Sequence, residues 1–165
     1  MQTEQYSFED DGKIPNSVFP AILYKKAFDN NSEIADNIEE KFIGNNWKNS
    51  WRNGVYDYHH YHSTAHEVLG VYSGSAEIQL GGEKGKRFSV SAGDVMVLPA
   101  GTGHKKISAS DDFGVVGAYP DGMDYDICTG KEGERPEADN NIAKLPFPDC
   151  DPVQGKNGGI LEFWK

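Results

Sequence analysis

Two short segments constrain this chain more than any other part of it, because each combines strand-like runs with residue types that bind metals. The first runs from Gly54 to Gly74 in the pattern G-x5-H-x-H-x4-E-x6-G. The second runs from Gly93 to His104 in the pattern G-x5-P-x-G-x2-H. In both, β-branched and apolar residues are closed by Gly and Pro, which is typical of short strands. Both segments are therefore predicted to be strands with turns.

Three histidines and one glutamate in these segments are the candidate metal ligands. Successive side chains of a strand point to opposite faces, so His60 and His62 are expected to share a face. A turn that begins at Pro99 would bring His104 back beside them. Together with Glu67 they would form an N3O site, which suits Fe, Mn, Co, Ni or Zn and leaves coordination positions for water or a substrate.

These two segments resemble the paired motifs of the cupin superfamily. The resemblance implies an all-β fold, the cupin-type double-stranded β-helix or jelly-roll barrel, in which His60, His62, Glu67 and His104 bind a divalent metal. One position departs from the family's pattern. The second motif usually ends with Asn four residues after the last histidine, and here that position is Ser108. Because of this departure, one contact of a residue near the ligands is in doubt, but metal binding is still expected.

Two longer stretches are similar to the YjlB-type single-domain bacterial cupins. They are residues 59–76, which contain the first motif, and residues 108–120, which read S-A-S-D-D-F-G-V-V-G-A-Y-P. Cupin barrels commonly form dimers by pairing sheets, so the resemblance also implies a homodimer. The apolar stretch from Phe19 to Tyr24 is a plausible edge for that pairing.

The length of 165 residues fits one domain, and we expect a single cupin domain over residues 1–165. Residues 1–50 would form an N-terminal arm, a strand and a helix, residues 51–120 the core barrel with both motifs, and residues 121–165 a wrapping tail. Strands are predicted to begin near Trp51, Glu67, Ser75, Lys86, Asp94, His104 and Phe113. The tail is rich in Pro, Gly and Asp and is expected to be irregular, with the apolar residues 160–164 docking as a strand or plug.

The N-terminal region carries the one strong helix signal. Ile34, Ile38 and Phe42 recur at a spacing of four, Ser32 can cap the helix, and Gly44 would stop it. Before the helix, the polar and acidic residues 1–15 are expected to be either an arm that becomes ordered on contact with the rest of the protein or a frayed end. Residues 19–25 are expected to be an edge strand, because a proline is tolerated at the start of such a strand.

Composition excludes several classes of partner. The formal net charge is −10 and the sequence pI is about 4.9, so nucleic acid and anionic membranes would be repelled over most of the surface. No apolar stretch approaches the length of a membrane span, and the N-terminus has no basic region followed by an apolar run, so a soluble, cytoplasmic protein is expected. Cys128 and Cys150 are too few for a disulfide framework or a zinc knuckle and are expected to be reduced thiols.

Other residues near the motifs are weaker candidates. His59 and His66 each neighbour a ligand, so on a regular strand they would face away from the site, and His66 is expected to be either a surface residue or one that contacts a ligand. Counting in twos from the ligands gives Tyr58, Leu69 and Lys106 as pocket candidates, although simple barrel filling is the preferred explanation for Tyr58 and Leu69. The ammonium of Lys106 would either pair with an anionic substrate or reach solvent. The cost of burying it beside a divalent cation favours solvent.

The leading functional hypothesis is a divalent-metal-dependent enzyme that acts on a small polar molecule. Redox-active iron or manganese would favour dioxygenase chemistry, and zinc or nickel would favour isomerase or lyase chemistry. The alternatives are a non-catalytic cupin that binds a small molecule and a cupin whose metal is purely structural. Resemblance to the family leaves the reaction open among these.

Overall fold

Nine antiparallel strands, arranged in two sheets, dominate the structure, a computed structural model that describes all of residues 1–165. The strands are β1 Gln2–Tyr6, β2 Ala21–Lys25, β3 Trp47–Asn53, β4 Glu67–Ser73, β5 Ser75–Leu80, β6 Lys86–Ser91, β7 Val95–Leu98, β8 His104–Ala109 and β9 Gly114–Pro120. The large sheet has the order β1-β2-β7-β4-β9-β3 and the small sheet the order β6-β5-β8. The helices are α1 Ile34–Gly44, α2 Glu137–Lys144 and α3 Ile160–Phe163. The all-β prediction is confirmed, and none of the three helices is long and apolar enough to cross a membrane.

The barrel interior is filled by the inward-facing side chains of both sheets. In the small sheet, Ala76, Ile78 and Leu80 alternate along β5 and are buried. They belong to the same apolar cluster as Leu69 and Val71 of β4 in the large sheet. Because residues two apart on a strand share a face, this alternation leaves Glu67, two positions before Leu69, on the interior face as well.

The outer face of the large sheet is also covered. Val68, Val97 and Val116 pack there in a second cluster with α1 and with the C-terminal Ile160 and Trp164. A sheet buried on both faces needs apolar residues at consecutive positions. This explains why β7 and β9 read as nearly continuous apolar runs.

Helix α1 packs on the outer face of β4 through the three residues that its spacing predicted. Ile34, Ile38 and Phe42 are buried. Gly70 of β4 allows this close approach, because a Cβ added there would lie 2.6 Å from Cγ2 of Ile38. The expected cap at Ser32 is wrong: the N-cap residue is Glu33, and it makes no side-chain capping bond.

The N-terminal arm is ordered, and it forms a strand that was not predicted. Gln2–Tyr6 is the edge strand β1 and pairs with the whole of β2. Its alternation of polar side chains gave no apolar signal because an edge strand is largely exposed. Strand β2 therefore lies inside the sheet, between β1 and β7, and the proposed dimer edge at residues 19–24 is covered by β1.

The C-terminal tail is more ordered than its composition indicated. It contains α2 and α3 and folds back onto β2. The carboxylate of Asp151 is buried and accepts hydrogen bonds from the Tyr24 hydroxyl at 2.7 Å and from the Ile160 N–H at 3.1 Å. The indole of Trp164 donates to the Pro20 carbonyl at 2.8 Å. The apolar end of the chain thus docks as a helical turn, not as a strand.

Candidate metal centre

The four candidate ligands lie where the large and small sheets approach each other. Glu67 begins β4 of the large sheet and His104 begins β8 of the small sheet. His60 and His62 lie in the irregular segment between β3 and β4, where a regular strand was expected. His60 forms an isolated antiparallel bridge with His104, with backbone N···O distances of 3.2 Å and 2.9 Å. This bridge aligns the irregular segment with β8.

The imidazoles of His60, His62 and His104 are all buried, and one ring nitrogen from each lies within 4.8 Å of the others. The carboxylate of Glu67 lies beside them. Its Oε1 is 3.1 Å from Nε2 of His104, and its Oε2 is 3.4 Å from Nε2 of His62. The structure therefore brings together all four side chains that the spacing singled out.

Backbone carbonyls fix the orientation of the three rings. Nδ1 of His60 lies 3.0 Å from the carbonyl oxygen of Tyr58, and Nδ1 of His104 lies 3.1 Å from that of Thr102. Nδ1 of His62 contacts the carbonyl oxygen of Asp126. A carbonyl oxygen can only accept, so each Nδ1 carries a proton, and a ring held in this way presents the Nε2 lone pair when it is neutral. Histidines that ligate metals are held in this way by their other ring nitrogen.

The protonation states also fit a cation at this point. Burial and the neighbouring His104 lower the pKa of His60 to about 3, so this ring is neutral. Burial alone would lower the pKa of His62, but the Glu67 carboxylate raises it above the ordinary value. The pKa of Glu67, which burial alone would raise, is held below its usual range by His62 and His104. Glu67 therefore favours the protonated form of His62 when no metal is bound, and such sites release protons when they bind metal.

Two aromatic residues hold the Glu67 carboxylate through a chain of hydrogen bonds. The Tyr119 hydroxyl donates to Oε2 of Glu67 at 2.6 Å, and the indole N–H of Trp51 donates to the Tyr119 oxygen at 2.8 Å. Burial and the charge of Glu67 raise the pKa of Tyr119, so its hydroxyl stays protonated as a donor. This chain of hydrogen bonds fixes the direction in which the carboxylate points.

A cavity of about 430 Å³ opens beside the four side chains. Leu69 and Lys106 line it, and Tyr58 does not. The ring of Tyr58 is 42% exposed and stacks on Tyr56, which does line the cavity. Counting in twos failed at Tyr58 because residues 54–59 are not a strand.

The two excluded histidines point away from the centre. His66 is buried, accepts the Ala100 N–H on Nδ1 at 2.8 Å, and packs against Trp164 with ring centroids 4.9 Å apart. It is thus a buried contact of the C-terminal residues and not a surface residue. His59 contacts the Glu83 carboxylate at 3.2 Å.

Sequence reasoning missed Trp51, Tyr119 and Asp126 as parts of the site. Tyr119 lies 52 positions after Glu67, so no local spacing connects the two. Asp126 orients His62 through its backbone carbonyl, which leaves no signal in residue type. Its carboxylate accepts from the backbone N–H of Ser63 at 2.6 Å and so ties the tail to the segment that carries His62.

Comparison with known proteins agrees with the fold. The family model for the cupin domain matches residues 52–116. The chain is 46% identical over 164 residues to the uncharacterized protein YjlB of Bacillus subtilis (strain 168), and the match covers 99% of this chain and 97% of that protein.

Similar solved structures include two enzymes. The TDP-quinovose 3,4-ketoisomerase WlaRB from Campylobacter jejuni has a TM-score of 0.42 at 15% identity, over 59% of this chain and 75% of that one. A structure of oxalate decarboxylase has a TM-score of 0.42 at 18% identity, over 75% of this chain and 31% of that one. The family assignment rests instead on the cupin-domain match and on the identity to YjlB along almost the whole length. The chain belongs to the cupin superfamily, and within it to the YjlB group.

Proposed function

We propose that this protein is a divalent-metal-dependent enzyme acting on a small polar molecule, with His60, His62, Glu67 and His104 as the metal ligands. One observation carries the proposal. Three imidazoles have Nδ1 committed to backbone carbonyls and turn Nε2 toward a single point beside an ionised carboxylate. Three nitrogens and one oxygen suit iron, manganese, cobalt, nickel or zinc.

The surroundings of the ligands support a reactive centre more than a structural one. Structural metal sites are closed by their protein ligands, whereas catalytic sites keep open positions. Here all four ligands line a cavity of about 430 Å³, the size of a site for a small molecule. When bound, the metal would supply Lewis acidity or activate oxygen. The protein itself holds the lone pairs of the four ligands in fixed directions and admits the substrate beside them. The three backbone carbonyls orient the imidazoles, and Tyr119 orients the Glu67 carboxylate.

The identity of the metal divides the candidate reactions. Iron or manganese would direct the search toward dioxygenase chemistry, and zinc or nickel toward isomerase or lyase chemistry. Turnover of a candidate substrate distinguishes either class from a cupin that only binds its ligand, since a bound ligand would be recovered unchanged.

The test is elemental analysis of untagged protein, comparing the wild type with His62→Ala at the same purification step. We expect near-stoichiometric metal in the wild type and its loss in His62→Ala. The matched control is His59→Ala, which removes a histidine of the same segment whose ring contacts Glu83 and not the centre. This control should keep its metal. Absence of metal from wild type and control alike would reject the proposal.

A further inference from the structure

The cavity beside the candidate centre contains one cation that no carboxylate neutralises. Lys106 is half-buried and lines the cavity wall. It lies two positions after His104 on β8, where Lys106 pairs with Ile78 and His104 pairs with Leu80 of β5. The alternation of side chains along the strand therefore places Lys106 on the same face as His104.

The other charged groups of the cavity are already engaged. The Arg52 guanidinium donates to Asp36 at 2.9 Å and to Glu39 at 3.1 Å, and both acceptors lie on α1. Glu67 is the one acidic residue in the lining, and its oxygens contact His62, His104 and Tyr119. Lys106 makes no ion pair, although the chain has 26 acidic residues. An ammonium left without a counterion at a cavity wall is suited to an anionic ligand.

Aromatic rings form part of the remaining cavity wall, beside the polar Arg52 and Asn53. Trp51, Tyr56 and Tyr125 line it together with Leu69. Tyr125 stacks on Tyr119 with ring centroids 4.4 Å apart and an interplanar angle of 19°. The hydroxyl of Tyr119 is bonded to Glu67, so the stacked pair forms a rigid wall. Such walls favour a planar, unsaturated molecule over a compact, strongly hydrated one.

We propose that the substrate is a small organic monocarboxylate with a flat aromatic or conjugated body, and that Lys106 binds its carboxylate. This inference rests on the proposed function in placing that molecule beside the metal ligands. The carboxylate contact itself belongs to Lys106 alone. The body of the molecule would then lie against the aromatic wall, with its reacting end toward the four ligands.

The experiment is calorimetric titration of the protein with benzoate and with benzamide, which has the same flat ring without the charge. Wild type should bind benzoate at least ~10-fold more tightly than benzamide, because a charge-assisted contact replaces a neutral one. Lys106→Gln should remove this preference, and Lys106→Arg should retain it. The matched control is Lys105→Gln, which removes a neighbouring lysine that does not line the cavity.

The metal content of each sample separates this inference from the proposed function. A sample that keeps its metal but shows the same benzoate preference in Lys106→Gln as in wild type would overturn the inference and leave the proposed function intact. If acetate binds as tightly as benzoate, the inference that the substrate has a flat aromatic or conjugated body is wrong. If the wild type carries no metal but its benzoate preference still depends on Lys106, the carboxylate site stands and the proposed function fails.

Discussion

The hydroxyl of Tyr119 connects the Glu67 carboxylate to the barrel wall, so Tyr119→Phe tests how much the centre depends on a residue that is not a candidate ligand. The substitution removes one oxygen and leaves the ring in place. It deletes the 2.6 Å hydrogen bond to Glu67 and leaves the indole N–H of Trp51 without its acceptor at 2.8 Å.

The expected loss of stability follows from the charge and burial of the acceptor. Glu67 is 3% exposed, so its carboxylate depends mainly on donors from the protein. A hydrogen bond to a charged group contributes about 1.5–3 kcal/mol, so we expect the free energy of unfolding to fall by about 2 kcal/mol. For a chain of this length the melting midpoint should fall by roughly 4–8 °C. Metal affinity should fall about 10–100-fold, as it does when groups that orient ligands are removed.

The assay is thermal unfolding of metal-free protein by circular dichroism, followed by competition with a chelator to measure metal affinity. Tyr72→Phe is the control for the loss of a tyrosine hydroxyl in itself, because the Tyr72 side chain is half-buried and its hydroxyl makes no hydrogen bond to the protein. It should change stability by less than about 0.5 kcal/mol. If Tyr119→Phe matches Tyr72→Phe in both measurements, the hydrogen-bond chain does not support the centre and the reasoning is wrong.

Two further outcomes can be tested in the tail. Trp164→Ala should lower the free energy of unfolding, measured by urea titration, by about 3–5 kcal/mol, because it empties a fully buried site. Removal of the exposed Lys165 is the control and should have no measurable effect. Equal effects of the two changes would mean that the end of the chain is not docked. Burial and the nearby Asp126 charge raise the pKa of the Cys128 thiol to about 12, whereas Cys150 is only partly buried. Because only the thiolate reacts, Ellman's reagent at pH 8 should label Cys150 and spare Cys128, with labelling of Cys128 rising only as the pH approaches 12. Equal rates at pH 8 would contradict this.

The barrel and the side chains of the centre could be predicted because local pattern determines them. Alternation along a strand places Ala76, Ile78 and Leu80 on the opposite face of the sheet from their neighbours in sequence. The same geometry places Leu69 on the same face as Glu67. His60 and His62 reach the same point although their segment is not a regular strand. The bridge between His60 and His104 keeps the backbone extended there, so spacing by two still applied.

The parts that could not be predicted depend on contacts between residues distant in sequence. The edge strand β1 is polar on its exposed face and gave no apolar pattern. Tyr119 reaches Glu67 from another strand, and neither residue type nor local spacing connects the two. Tyr58 was misplaced because a count in twos assumes a strand, and the backbone turns before His60. The order of the tail comes from single contacts, such as the buried carboxylate of Asp151.

The contact between the Asp126 carbonyl and Nδ1 of His62 shows that the residues needed for the candidate centre extend beyond the matched cupin domain. The cupin-domain match stops at residue 116, ten positions before this carbonyl. A chain shortened after Pro120 would keep all four ligand side chains, yet His62 would be free to rotate and to exchange its proton between the two ring nitrogens. Because the contact is made by backbone, substitutions between Pro120 and Asp126 would leave it in place, whereas an insertion or deletion there would move it. In this protein the length of the loop after β9 therefore helps to fix the ring orientation and the tautomer of a histidine at the candidate metal centre.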